Sequence, residues 1–147
     1  MLDDFPLGFH QFQRPCTENR IQYLEQILGP APAVIHSMLR QCNGAKLFVN
    51  LAPLVTLFGV SPIEPEVADD WAPDWYIDKF TVAWRKSNGT DSDWAIAMTN
   101  YGGLAILSVD GNVREWDIAS HCWISDAVPI GVWMDQIIVD VDEYMAS

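Results

Sequence analysis

The alternation of apolar and polar positions predicts an antiparallel sheet in the second half of the chain. Trp94, Ile96 and Met98 alternate with smaller residues, which is the period of two expected of a strand with unlike faces. The nearly continuous apolar run 104–109 indicates a central strand that is buried on both sides, and 113–116 indicates a short third strand. The pattern therefore predicts three antiparallel strands in succession.

Glycine-containing reversals separate these strands, at 100–103 and again at 110–112. Glycine tolerates the positive φ angles of tight turns, and Asp-Gly between apolar runs is a strong hairpin signal. Alternation over 80–85 predicts a fourth strand ahead of the other three, and two earlier segments, 46–49 and 54–58, also have strand-like composition. The predicted sheet is a meander, because short loops favour antiparallel neighbours.

Two helices are predicted in the N-terminal third. Thr17 is a suitable N-cap, the apolar positions within 21–28 follow helical spacing, and Gly29 ends the helix. The prolines of 30–32 open the second helix, where proline is tolerated in the first turn. Asn43-Gly44 is predicted to end that helix in a left-handed cap.

The clearest predicted helix closes the chain. Pro129 fits its first turn, and the apolar stripe repeats at the helical period. The stripe consists of Ile130, Trp133, Met134, Ile137, Ile138, Val141 and Met145. Acidic residues crowd its C-terminal end, against the preference of the helix dipole for cations.

These elements predict an α+β fold, with an antiparallel meander sheet flanked by two N-terminal helices and one C-terminal helix. The length of 147 residues indicates a single domain, 1–147, which begins with an irregular arm over 1–16. Half of the residues are apolar, which is enough for a packed core.

The charge is strongly negative, with 8 Lys and Arg against 20 Asp and Glu, giving a formal net charge of -12. Phosphate contacts require clustered cations, whereas here the cations are scattered and none follows Arg114. Direct nucleic-acid binding is therefore not expected. The charge serves either solubility alone or a surface that binds a basic protein partner.

The cysteines and the N-terminus predict a cytoplasmic protein. Cys16, Cys42 and Cys122 are odd in number and widely spaced, which suits a reducing compartment rather than a disulfide framework or a zinc site. Asp3 and Asp4 stand where a secretory signal would carry basic residues, and no apolar run is long enough to span a bilayer.

No catalytic or metal-binding constellation emerges from the sequence. His10, His36 and His121 lie in different segments, and no nucleophile elbow, phosphate loop or zinc motif is present. His121 beside Cys122 does not make a nucleophile–base pair, because adjacent residues rarely face each other. We therefore expect no enzyme activity, no metal and no cofactor.

The segment 61–78 differs in composition from the rest of the chain. It contains three prolines, six acidic residues and no Lys or Arg. A long loop of special composition inside a domain is often functional. The hypothesised partner-binding residues are Asp69, Asp70, Trp71, Asp74, Trp75 and Tyr76. The alternative is that the aromatic rings close one end of the core, leaving binding to the sheet face or the terminal helix.

The order of motifs resembles the SMI1/KNR4 family, also called the SUKH superfamily, over about residues 17–144. The motifs are a proline-led helix, a sheet with glycine-rich turns and a terminal helix. The residues are Asn43-Gly44, Leu47-Phe48, Trp94-Ala95-Ile96, Tyr101-Gly102-Gly103, Asp110-Gly111-Asn112-Val113, Trp116-Asp117 and Trp133. The chain departs from the family at Asn43-Gly44-Ala45, where a second glycine is common.

The resemblance implies an α+β fold and, in bacteria, a cytoplasmic immunity protein that neutralises a polymorphic toxin, often a nuclease, by blocking its active site. In fungi it implies a regulatory or scaffold domain that binds cellular proteins. The family shares no catalytic residues, so the resemblance transfers none. The sequence leaves open the identity of the toxin, the host and the oligomeric state.

Overall fold

A computed structural model describes residues 10–47, 54–62 and 75–146, with side chains described through Val139. It contains four α-helices and eight β-strands, and the predicted α+β class is confirmed. In chain order the elements are β1 (Gln11–Phe12), α1 (Glu18–Leu28), α2 (Ala33–Gln41), β2 (Ala45–Leu47), β3 (Val55–Leu57), α3 (Ile77–Asn88), β4 (Trp94–Thr99), β5 (Gly103–Leu107), β6 (Asn112–Asp117), β7 (Cys122–Trp123), β8 (Val128–Pro129) and α4 (Ile130–Ala146).

The strands form one antiparallel sheet in the order β1-β2-β3-β4-β5-β6-β7, with β8 also pairing with β6. The predicted three-strand meander is confirmed as β4, β5 and β6. The two reversals contain glycines at positive φ, Gly102 at 83° and Gly111 at 84°. All six residues of β4 are buried, so the expected unlike faces are wrong and this strand is covered on both sides.

The two earlier predicted strands are present: the first begins one residue before its predicted range, and the second covers three of its five predicted residues. They correspond to β2 and β3, and residues 48–53 lie outside the described part. The described end of the predicted irregular arm is ordered, because β1 pairs with β2 and sets Phe12 opposite Ala45. Cys16 is buried, and its backbone N–H donates to the carbonyl of Leu39 at 2.8 Å. The arm therefore adds a strand to the sheet.

The prediction for α1 is confirmed at both ends. The Thr17 hydroxyl accepts from the Arg20 backbone N–H at 3.3 Å, and Gly29 follows the helix with φ of 90°. The prediction for the end of α2 is wrong. Cys42 ends α2 in an extended conformation with φ of -160°, and Gly44, at 95°, instead precedes β2. The reason is that the Asn43 side chain is committed to the backbone of Val60.

The predicted strand over 80–85 is wrong, because this segment lies inside the helix α3. Burial follows helical spacing, and Val82 is 47% exposed although it belongs to the alternating pattern. The buried residues of α3 are Ile77, Asp78, Thr81 and Trp84. The helix packs on β4, where the Ala95 N–H donates to the Thr81 hydroxyl at 3.0 Å. The described residues thus contain four helices rather than the three predicted.

The C-terminal helix α4 buries the predicted stripe as far as its side chains are described. Trp133, Met134 and Ile137 are buried, and Ile138 packs against the core, whereas the side chains of the last two predicted positions lie outside the described residues. In the part of the chain that the structure describes, no helix combines the length and apolar composition needed to cross a membrane.

Candidate protein-interaction surfaces

The hypothesised partner-binding segment is only partly described. Asp69, Asp70, Trp71 and Asp74 lie outside the described residues, so their role stays a prediction. Trp75 and Tyr76 are described, and they lie immediately before α3.

Trp75 is a surface residue that rests on two aromatic rings. Its ring lies edge-on to Phe58, with centroids 6.1 Å apart, and to Phe80, with centroids 6.2 Å apart. Phe58 and Phe80 are themselves stacked at 4.5 Å, and Phe58 is buried in the core. We call these three residues the Trp75 platform. Because Trp75 is 40% exposed, it both contacts the rings beneath it and presents its own surface to solvent.

Backbone contacts fix the position of the Trp75 platform. The Gly59 N–H donates to the Trp75 carbonyl at 3.3 Å, and the Ile77 N–H donates to the Gly59 carbonyl at 2.7 Å. A Cβ at Gly59 would lie 2.3 Å from the Asn43 carbonyl oxygen, which is far inside van der Waals contact. Glycine therefore lets the chain after β3 pass Asn43 and reach Trp75.

Two neighbours of Trp75 have structural roles. Tyr76 is half-buried and has extended backbone at the N-cap of α3. Asp78 is buried, and its carboxylate accepts from the backbone N–H of Ser61 at 3.1 Å and from its hydroxyl at 2.5 Å. One of the six acids in the segment is thus internal, and Lys79 beside it is exposed. The described end of the segment therefore presents less acidic surface than its composition indicates.

A second surface of exposed apolar residues lies on the sheet, and no motif in the sequence marked its residues. Tyr101 is 56% exposed, Ile118 43% and Ile124 45%. The Tyr101 hydroxyl donates to the Glu115 carboxylate at 2.6 Å. The Ile118 N–H donates to the Gly102 carbonyl at 3.3 Å, and the Ile124 N–H donates to the Glu115 carbonyl at 2.9 Å. We call Tyr101, Glu115, Asp117 and Ile124 the Tyr101 patch.

Gly103 occupies the centre of the Tyr101 patch. It lies directly opposite Asp117 in the pairing of β5 with β6. A Cβ at Gly103 would lie 2.8 Å from the Thr99 hydroxyl, 3.1 Å from a Glu115 carboxylate oxygen and 3.2 Å from Ile124 Cδ1. These three side chains therefore converge on the space that glycine leaves. The sequence interpretation assigned this glycine to the turn, whereas its role here is to make room.

The Tyr101 patch carries negative charge on one face of the sheet. Glu115 and Asp117 share that face because they are two residues apart on β6. Arg114 precedes Glu115 on β6, so its side chain leaves from the opposite face. Its guanidinium donates to the Ser125 carbonyl at 2.8 Å and lies 4.5 Å from the centre of the Trp123 ring. A side-chain hydrogen bond from Ser120 lowers the pKa of Asp117, and nearby backbone N–H groups lower it further.

The cysteines and histidines occupy separate environments. Burial raises the pKa of the Cys42 thiol to about 11, which keeps it protonated at neutral pH. Cys122 is exposed, with its sulfur 2.9 Å from the Ser120 hydroxyl. The His121 ring lies edge-on to the Trp116 ring, with centroids 6.4 Å apart. Among the described residues, no group of three or more His, Cys, Asp or Glu is arranged to hold a metal ion.

No protein-family model matches this chain. The resemblance to SMI1/KNR4 proteins therefore stays a prediction that rests on the order of the motifs. The structure contributes two surfaces with exposed apolar residues, the Trp75 platform and the Tyr101 patch.

Proposed function

We propose that this protein is a non-enzymatic binding domain that neutralises a bacterial toxin domain by covering its active site. The observation that carries the proposal is Trp75, a large ring that is 40% exposed although two aromatic neighbours hold it in place. Tryptophan is enriched among the residues that dominate the binding energy of protein interfaces. The resemblance to immunity proteins supports the identity of the partner class.

The positioning of Trp75 favours binding because its side chain is already restricted before association, so that less conformational entropy is lost on binding. Side chains that lose rotamer freedom on binding reduce affinity, whereas an anchor held by Phe58 and Phe80 loses little. Contact of this ring with an apolar pocket would slow dissociation, since most affinity differences between related complexes arise in the dissociation rate.

The charge of the molecule supports a basic partner. A formal net charge of -12 attracts a cationic surface and raises the rate of productive encounter. A nuclease toxin has such a surface, because it must bind phosphates. Carboxylates of this protein would then occupy the positions of substrate phosphates. This action requires the cytoplasm of the cell that makes the toxin, and the three cysteines without disulfides are compatible with that compartment.

Co-expression tests the proposal. The product of a neighbouring gene that arrests growth when expressed alone is co-expressed with wild-type protein, Trp75→Ala or the control Val109→Ala. Val109 is 81% exposed in the β5–β6 turn, so its truncation removes comparable apolar exposure at another place. We expect wild type and Val109→Ala to restore growth. Trp75→Ala should accelerate dissociation about 10- to 100-fold, as expected for loss of an aromatic anchor.

Two results would contradict the proposal. One is growth arrest in the presence of folded wild-type protein, which would leave the scaffold alternative. The other is equal protection and equal dissociation rates for all three proteins. Circular dichroism checks folding, and Trp75→Leu replaces Trp75→Ala if the alanine variant unfolds, because leucine keeps an apolar contact with Phe58 and Phe80.

A further inference from the structure

The Tyr101 patch exposes apolar area on a face of the sheet that also carries carboxylates. Tyr101 exposes 56% of its surface and Ile124 exposes 45%. Tyr101 lies in the β4–β5 turn and Ile124 directly follows β7, and both approach Glu115 beside Gly103. Apolar surface gathered in this way, with polar groups at its rim, is typical of a contact site for another protein.

The carboxylates of the patch determine which chemical group of a partner can bind there. Glu115 is 8% exposed, and the Tyr101 hydroxyl that donates to it is a neutral donor. A carboxylate withdrawn from water is stabilised by a nearby cation more than a fully solvated one is. The chain has no Lys or Arg after Arg114, and Arg114 itself is engaged with Ser125 and Trp123. Among the described residues, no Lys or Arg forms an ion pair with Glu115 or Asp117, so a partner would supply the cation.

The Asp117 carboxylate is held in a fixed orientation. One of its oxygens accepts from the backbone N–H groups of Ala119 at 3.0 Å and Ser120 at 3.4 Å. Because Asp117 lies opposite Gly103, no side chain of the neighbouring strand separates it from the centre of the patch. Glu115 lies roughly 7 Å away along the same face, from the rise of two strand residues.

We propose that the Tyr101 patch is a docking surface for an arginine side chain of a partner protein. The guanidinium stacks on the Tyr101 ring and donates to the carboxylates of Asp117 and Glu115, while an adjoining apolar side chain packs on Ile124. Arginine fits better than lysine because its planar guanidinium both stacks on aromatic rings and donates to carboxylates in a fork. The inference does not depend on the toxin-neutralising role, because any protein that presents such an arginine would bind the patch.

Nuclear magnetic resonance titration with short cationic peptides tests this proposal without a toxin. The probes are tetra-arginine and tetra-lysine peptides, capped at both ends and added to the uniformly 15N-labelled full chain. We expect saturable shifts of the amides of Gly102, Gly103, Asp117 and Ile124. The dissociation constant for tetra-lysine should be about three- to fivefold weaker, which corresponds to the upper range of an exposed charge contact.

Matched substitutions separate the patch from the general negative charge. Asp117→Asn should weaken tetra-arginine binding about three- to fivefold. The control is Asp110→Asn, which removes an exposed aspartate that likewise accepts hydrogen bonds within its own turn. We expect little change for the control. Ile124→Ser, a second variant, should weaken binding through lost apolar contact, and the amide spectra show whether each variant is folded.

Three outcomes would overturn the proposal. They are shifts spread over acidic segments throughout the chain, equal affinities for the two peptides, and equal effects of Asp117→Asn and Asp110→Asn. None of these outcomes bears on Trp75, so failure here leaves the proposed function to its own test.

Discussion

Asn43 links the end of α2 to the chain that leads to Trp75. Its side-chain amide donates to the Val60 carbonyl at 3.2 Å, and its side-chain oxygen accepts from the Val60 N–H at 2.6 Å. A single side chain thus satisfies both backbone groups of a buried residue, as a neighbouring strand would. Asn43 is buried, so no solvent replaces these bonds if the amide is lost.

Asn43→Ala should lower the free energy of unfolding by about 2–3 kcal/mol, because it leaves a buried donor and a buried acceptor without partners. The matched control is Asn88→Ala, which removes one side-chain bond to the Trp84 carbonyl at the exposed end of α3 and should cost less than about 1 kcal/mol. Urea denaturation measures both. Equal losses would contradict the role assigned to Asn43.

Gly111 is suited to the β5–β6 reversal by its backbone conformation rather than by a lack of space for a side chain. Its φ is 84°, and a Cβ at this position would meet no atom within 4 Å. Gly111→Val should therefore destabilise the protein by about 1–3 kcal/mol through backbone strain rather than through a clash. Gly111→Asn should be milder, because asparagine tolerates positive φ better. Thermal denaturation compares the two, and a valine variant as stable as wild type would refute this.

Asp110 contributes to acid sensitivity in the same turn. The Ser108 side chain, followed by the Asn112 backbone, lowers the pKa of Asp110 from its usual 3.8. A depressed folded pKa means that the stabilisation is present above the unfolded pKa and is lost as pH falls through the folded one. Stability should thus decline below about pH 4.

Ser108→Ala removes the first of these causes and should return the pKa of Asp110 toward 3.8. Carboxyl titration followed by nuclear magnetic resonance measures this directly. Asp117, whose lowered pKa depends on Ser120 instead, is the internal control and should titrate unchanged. A titration of Asp110 that is the same in both proteins would rule out the Ser108 bond as its cause.

At the scale of elements, α3 shows why alternation misled the prediction. Phe80, Val82 and Trp84 recur every second residue, which fits a strand, yet the buried positions of the segment follow a helical period. Other signals favoured a helix: Asp78 in the first turn, two cations in the last turn and Gly89 with φ of 63° after it. Three alternating residues are too few to distinguish the two periods when end signals disagree.

The strands that could be predicted are those separated by glycine turns. β4, β5 and β6 are local in sequence, so their pairing follows from the reversals between them. The pairing of β3 with β4 joins segments on either side of α3 and is not encoded in any local pattern. Strand pairs joined by short turns could thus be predicted from the sequence, whereas pairing between distant segments could be seen only in the structure.

The C-terminal helix gives the sharpest test of an element-level prediction. Trp133 is 5% exposed, so Trp133→Ala should lower the free energy of unfolding by about 3–5 kcal/mol through lost burial and cavity formation. Val132, the preceding residue, is 51% exposed, and Val132→Ala should change stability by less than about 0.5 kcal/mol. Chemical denaturation measures both, and a loss below about 1 kcal/mol for Trp133→Ala would mean loose packing of α4.

At the scale of the whole molecule, the charge predicts how association depends on salt. Raising ionic strength from about 0.05 to 0.5 M should slow association with a basic partner about tenfold or more, because screening removes long-range attraction. Dissociation should change less, since it depends on close contacts. Stopped-flow mixing at several salt concentrations measures both rates. Association that is insensitive to salt would exclude steering by the net charge of -12.

The two candidate surfaces differ in how far the sequence located them. Trp75 was predicted as an anchor from its acidic and aromatic surroundings, and the structure places it at the surface. The Tyr101 patch was missed because Tyr101, Glu115 and Ile124 meet only through strand register and the space above Gly103. Composition identifies unusual segments, but it does not show which ordinary residues converge.

The edge of the sheet beyond β6 also limits edge-to-edge pairing between copies of this protein at high concentration. Two strands of two residues each, β7 and β8, share that side, and β8 ends in Pro129, which has no N–H to offer. A misplaced strand from another molecule finds too short a run of backbone groups there to extend into a fibril. For the inhibitor role proposed above, this edge would allow a standing excess of the protein to be stored without seeding its own aggregation.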